Sequence, residues 1–103
     1  MKKKTIQKRK LHKECWDLRC AFYKWLQIHL KTYLKDADIV INLNFHKFDI
    51  DGNVLTQREV IVLMLQDLEY LTSPKADDWS EEYYKISNNL MECWSKVFEY
   101  MWW

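Results

Sequence analysis

The sequence predicts a mainly α fold: three helices in an up-down bundle, with a short β-hairpin or irregular insert at about residues 38–55. Three observations carry that reading. Apolar residues recur at spacings of three and four at the front, after residue 57 and at the back of the chain, the mark of helices that each bury one face. One Gly and one Pro in 103 residues leave few points where a helix must break. Between the first and second apolar stripes the period changes, and a turn signal is followed at once by a helix-start signal.

The first stripe runs Leu11, Cys15, Leu18, Phe22, Trp25, Leu26, His29, Leu30, Tyr33 and Leu34. It predicts a helix that ends near Lys35, where Asp36-Ala37-Asp38 interrupts the pattern. At 1.5 Å per residue that helix is roughly 35–40 Å long and needs long partners to cover it. Ahead of it, residues 1–10 are expected to form a basic flexible arm, since positive charge at a helix start opposes the macrodipole. Residues 11–103 are then a single helical domain.

Residues 39–46 alternate, with Ile39, Ile41, Leu43 and Phe45 apolar on one side. That pattern predicts a half-buried strand, and the rival reading is a short helix using Ile41, Phe45 and Phe48. Asp51-Gly52-Asn53 is a turn signal, because Gly takes positive φ freely and Asp and Asn tolerate it. Phe48 and Ile50 before it and Val54 after it predict a tight hairpin. Thr56 and Glu59 have the spacing of a capping box, which starts the second helix at about Gln57.

The second helix is expected over Gln57–Leu71, burying Val60, Ile61, Leu63, Met64, Leu68 and Leu71, and Thr72-Ser73-Pro74 ends it. Asp78-Trp79-Ser80-Glu81 offers a second box-like cap. The third helix is expected from Trp79 almost to the end, with Tyr83, Ile86, Leu90, Trp94, Val97, Phe98 and Met101 inward.

Two short stretches resemble known motifs. Phe45 and Phe48, then Asp49-Ile50-Asp51-Gly52-Asn53, Leu55-Thr56 and Glu59, resemble a calcium-binding EF-hand; the resemblance implies Asp49, Asp51, Asn53 and Glu59 as ligands. The loop departs from the family pattern, because Val54 follows Asn53 where the twelve-residue loop has its Gly, and the loop is one residue short. Leu55-Thr56-Gln57-Arg58-Glu59-Val60-Ile61-Val62-Leu63 resembles the opening of a LuxR-type helix-turn-helix over nine residues, and no Gly-containing turn follows.

Net charge is +1, but the charge is split. Residues 1–35 hold eleven Lys or Arg against two acids, and residues 36–103 hold five against thirteen. Such asymmetry marks a polyanion-binding arm, or a basic helix packed beside acidic ones. Lys2, Lys3, Lys4, Lys8, Arg9, Lys10 and Lys13 have no acid among them and point to an outside partner. Asp77, Asp78, Glu81 and Glu82 gather at the start of the third helix, where the dipole favours them or where they imitate a phosphate backbone. Six Trp, six Tyr and four Phe exceed what one small core needs, and Trp102 and Trp103 are candidate interface anchors. Basic and aromatic residues together also serve as stacking platforms for single-stranded nucleic acid.

No catalytic constellation is legible. His12, His29 and His46 lie on different segments, and His12, Cys15, Cys20 and Cys93 match no standard zinc spacing. No enzyme activity, metal or cofactor is expected. The three cysteines read as reduced thiols of a cytoplasmic protein, and no apolar run reaches membrane length. The expected function is stoichiometric binding to a larger protein partner, as a phage or mobile-element inhibitor of a nucleic-acid-handling host protein. Anti-CRISPR proteins are a class-level analogy resting on size and composition. The alternatives are a nucleic-acid-binding regulator acting through the basic arm, and an EF-hand-like calcium module.

Overall fold

Three helices and one antiparallel hairpin account for most of residues 17–74, 76–77 and 79–101, which the computed structural model describes. The order is α1 (Leu18–Val40), β1 (Lys47–Ile50), β2 (Asn53–Thr56), α2 (Gln57–Leu71) and α3 (Glu81–Val97), closed by a 3-10 turn at Phe98–Tyr100. The mainly helical class with a short hairpin is as the sequence predicts.

Helix α2 forms the middle. It buries Gln57, Val60, Ile61, Met64, Leu68 and Leu71 and packs against both α1 and α3, whereas no Cα of α1 lies within 8 Å of one on α3. At the start of α2 each of the first backbone amides has an acceptor. The Thr56 hydroxyl oxygen accepts from the Glu59 N–H at 3.2 Å, and the Glu59 carboxylate accepts from the Thr56 N–H at 3.1 Å. The next two orphan donors of the helix are met by the preceding loop: Gln57 N–H reaches the His46 carbonyl and Arg58 N–H the Leu43 carbonyl, each at 3.1 Å.

That use of the loop carbonyls overturns the strand expected at 39–46. Ile39 and Val40 instead belong to α1, which continues past Lys35 to Val40. Ala37 is wholly buried there, and Asp38 forms an ion pair with Arg58 of α2, so the two acids flank a packed position rather than ending the helix. After Val40, Asn42 folds the chain: its side chain accepts from the Asn44 N–H at 3.0 Å and its carbonyl from the Phe45 N–H at 3.2 Å. Leu43 alone of the alternating set is fully buried, while Ile39 and Phe45 are exposed.

The hairpin forms where the turn signal places it. Phe48 pairs with Leu55 and Ile50 with Asn53. Asp51 (φ 51°) and Gly52 (φ 81°) both take the left-handed region, as a two-residue type I′ turn requires.

The phase of α1 also differs from the expected stripe. Its buried residues are Tyr23, Leu26, Leu30 and Ala37, and Leu18 and Trp25 face solvent. Tyr23 takes the core position because its ring packs inside while its hydroxyl finds Ser87 of α3. Leu11 and Cys15 lie outside the described residues. Helix α3 begins at Glu81 rather than Trp79, because Ser80 is its cap and accepts from the Tyr83 N–H at 3.1 Å. It buries Tyr83, Leu90, Cys93 and Val97; Ile86, Trp94 and Met101 are partly buried, and Phe98 is exposed beyond its end.

Candidate binding surfaces

An aromatic strip joins α1 to α3 where their backbones stay apart. The Phe22 ring meets Trp94 edge-on at 6.4 Å, and Trp94 meets Phe98 at 4.9 Å. Along α1, Phe22 lies nearly parallel to Trp25 at 6.3 Å, and Trp25 stacks on His29 at 4.1 Å. The His29 Nδ1–H donates to the Trp25 carbonyl oxygen at 2.7 Å, fixing the ring pair. Trp25 and Phe98 are each about half exposed, at 50% and 56%. The strip is therefore partly a lid over the α2 core and partly an open apolar face. Sequence periodicity finds these rings but assigns all of them to the core.

A basic line runs along the outer side of α1. Lys24, Ile28, Lys31 and Lys35 recur at spacings of four, three and four, which is one helix face. All four are exposed, and none of the three lysines forms an ion pair with a described residue; the salt bridges among those residues are Arg58–Asp38 and Lys96–Glu92. At the inner edge of α1, the Arg19 guanidinium sits 4.9 Å from the Tyr83 ring centroid.

The acidic start of α3 is a built turn. Asp77 Oδ1 accepts from the Trp79 N–H at 3.0 Å, and the Ser80 hydroxyl donates to the Asp77 carbonyl at 2.8 Å. Trp79 is held up to solvent at 87% exposure, beside exposed Asp77, Glu81 and Glu82. Of the residues the sequence singles out for partner binding, the structure thus brings Asp77, Glu81 and Glu82 together and adds Trp79. Lys2, Lys3, Lys4, Lys8, Arg9, Lys10, Lys13, Asp78, Trp102 and Trp103 lie outside the described residues.

A cavity of about 520 Å³ opens between the hairpin, α2 and α3, with Asp51, Asp67, Glu92 and Cys93 in its wall. Asp67 Oδ2 is sealed from solvent and has no hydrogen-bond partner among the described residues, and burial pushes its carboxyl up to about 6. Burial, reinforced by the Asp67, Glu92 and Asp51 carboxylates, pushes the Cys93 thiol up to about 11, so the thiol stays protonated at neutral pH. Sequence reasoning missed Asp67. Its one signal is position, four residues beyond Leu63 and next to Leu68 on the packed side of α2.

The residues of the EF-hand resemblance have local roles. Asp49 Oδ1 accepts from the Gly52 N–H at 2.9 Å, Asp51 and Gly52 form the hairpin turn, and Glu59 closes the capping box. Among the described residues no three His, Cys, Asp or Glu side chains lie together as a metal would need, and no helix is long and apolar enough to cross a membrane. No protein-family model, curated protein or solved structure matches the chain.

Proposed function

We propose that the protein acts by stoichiometric binding to a larger protein, as a non-enzymatic inhibitor of a nucleic-acid-handling host protein. A phage or mobile-element source, a cytoplasmic site of action, an up-down helix order and an anti-CRISPR-like mode belong to that reading. The observation that supports it best is the half-exposed aromatic strip of Phe22, Trp25, His29, Trp94 and Phe98. Aromatic rings held by mutual packing lose little freedom on docking, which suits them as central anchors of an interface. The acidic turn around Trp79 supplies a negative rim suited to a basic, nucleic-acid-binding partner.

The test is capture from the native host by the tagged full chain, with bound proteins identified by mass spectrometry. A single partner at defined stoichiometry, lost with Trp25→Ala/Phe98→Ala but retained with an exposed control such as Val54→Ala, is the expected result. Retention by the double variant excludes the strip as the interface.

A second reading, a nucleic-acid-binding regulator, is favoured by Lys24, Lys31 and Lys35 lying beside Trp25 on one side of α1. Phosphate contacts from these lysines would make binding fall steeply with salt. Tight RNA or DNA binding at physiological salt by the purified chain, without a protein partner, replaces the inhibitor reading with this one.

A further inference from the structure

The two charged surfaces are complementary to each other, and the chain does not bring them together within one molecule. Lys24, Lys31 and Lys35 stand on the side of α1 opposite Tyr23, Leu26 and Leu30, which pack on α2. Residues 18–35 contain no acid, and of the Asp36 and Asp38 carboxylates that follow on the same helix, Asp38 pairs with Arg58. The acidic turn carries Asp77, Glu81 and Glu82 around an 87%-exposed Trp79, with Lys85 one helical turn further on. Contact between α1 and the α3 start of the same chain is made by Arg19 at Tyr83, on the inner side of α1.

We propose that the lysine face of α1 docks onto the acidic turn at the α3 start of a second copy of this chain, giving a salt-sensitive head-to-tail self-association. The apolar parts match as well as the charges. Ile28 is 63% exposed between the lysines, and Trp25 flanks it, so the raised Trp79 indole meets an apolar seat inside a basic frame. Hydrogen bonds from the Trp79 N–H and the Ser80 hydroxyl to Asp77 hold the indole's backbone in place, which lowers the freedom lost on docking. A net charge of +1 leaves little long-range repulsion between copies.

The two patches are different surfaces, so the contact is heterologous and leaves one free patch at each end. Exposed ion pairs are individually weak, so the association is read as a mass that climbs with concentration rather than as a tight dimer. This inference goes beyond the proposed function, and it shares Trp25 and the acidic turn with the surfaces proposed for the partner; its test needs no partner, so the two readings fail separately.

The experiment is sedimentation velocity with light scattering on the full chain, from micromolar into the millimolar range, at about 0.01 M and about 1 M salt, where the screening length falls from about 30 Å to about 3 Å. The average mass is expected to rise with concentration at low salt and to stay monomeric at high salt. Lys24→Glu/Lys31→Glu/Lys35→Glu and Glu81→Lys/Glu82→Lys, each checked for helix content by circular dichroism, should each be monomeric alone and regain association when mixed. Lys24→Gln/Lys31→Gln/Lys35→Gln serves if the reversal unfolds the chain and is expected to be monomeric. Glu92→Lys/Glu99→Lys, an equal reversal further along α3 and in the closing 3-10 turn, should associate like the wild type. A monomeric wild type at low salt, self-association of either reversed variant, a monomeric mixture, or loss of association in the Glu92/Glu99 control each overturns the proposal.

Discussion

The side-chain amide of Gln57 donates to the main-chain carbonyl oxygen of Tyr100 at 3.2 Å, across 43 positions of sequence. The same nitrogen reaches the Tyr33 hydroxyl at 3.4 Å. One side chain, only 1% exposed, thus ties the start of α2 to α1 and to the closing 3-10 turn. Burial raises the Tyr33 hydroxyl pKa, and the Gln57 bond opposes that rise. Gln57→Leu should destabilise by about 1–2 kcal/mol in urea unfolding, since it removes the amide's bonds to the Tyr100 carbonyl and the Tyr33 hydroxyl. Gln57→Glu should cost more, and more at pH 8 than at pH 4, because a buried carboxylate facing a carbonyl oxygen resists ionisation. Equal stability of Gln57→Glu at both pH values would refute the role assigned to this amide.

Thr56→Ala removes the hydroxyl that caps α2 and strands the Glu59 amide. A loss of about 0.5–2 kcal/mol is expected, read as a lower denaturation midpoint with an unchanged slope. An unchanged midpoint contradicts the capping box.

Asp67 gives the protein a pH dependence of known sign. Its folded-state carboxyl titrates at about 6, above the ordinary 3.8, so the folded state holds its proton longer than the unfolded chain does. Stability should therefore fall as pH rises from about 4 to about 6.5 and level off above that. After discounting for the solvent-reached part of the side chain, the loss is about 1–2 kcal/mol. Asp67→Asn should flatten this part of the melting temperature against pH curve and raise stability at pH 7.5. A variant with the wild-type slope assigns the dependence to another group.

Gly52 sits at φ 81° with open space where a Cβ would be, so Gly52→Ala meets no clash and costs only the left-handed backbone penalty. About 1 kcal/mol is expected, with a smaller loss for Gly52→Asn, which tolerates that region. Calcium at low-millimolar concentration should leave both midpoints unchanged. Stabilisation by calcium that Asp49→Ala abolishes would restore the EF-hand reading.

The parts of the fold legible in sequence are those decided within a few residues. Thr56 and Glu59 form their reciprocal bonds across three positions, Asp51-Gly52 adopts the two positive φ values a tight hairpin needs, and the α2 stripe buries the side packed on both neighbours. The misreadings arose where a local pattern had two physical solutions. Alternation at 39–46 fits a strand, yet Asn42 and Asn44 turn the chain, and the carbonyls of Leu43 and His46 serve the start of α2. Asp36 and Asp38 look like a helix end until Arg58 arrives from α2 to pair with Asp38.

By itself the sequence determined the helical class, the hairpin turn, the α2 cap and the charge split, because spacing, backbone preference and side-chain charge are properties of short stretches. Only the tertiary structure decided which aromatic residues are core and which are surface. Trp25 and Tyr23 are equally able to fill a helix stripe, and the choice fell to Tyr23 because Ser87, on another helix, could satisfy its hydroxyl. The same holds for Asp67, whose carboxyl is raised by what α3 and the hairpin stack over it, and for Trp79, whose exposure follows from how Asp77 and Ser80 hold the turn beneath it. Burial is a property of neighbours distant in sequence, so no pattern of residue types along the chain contains it.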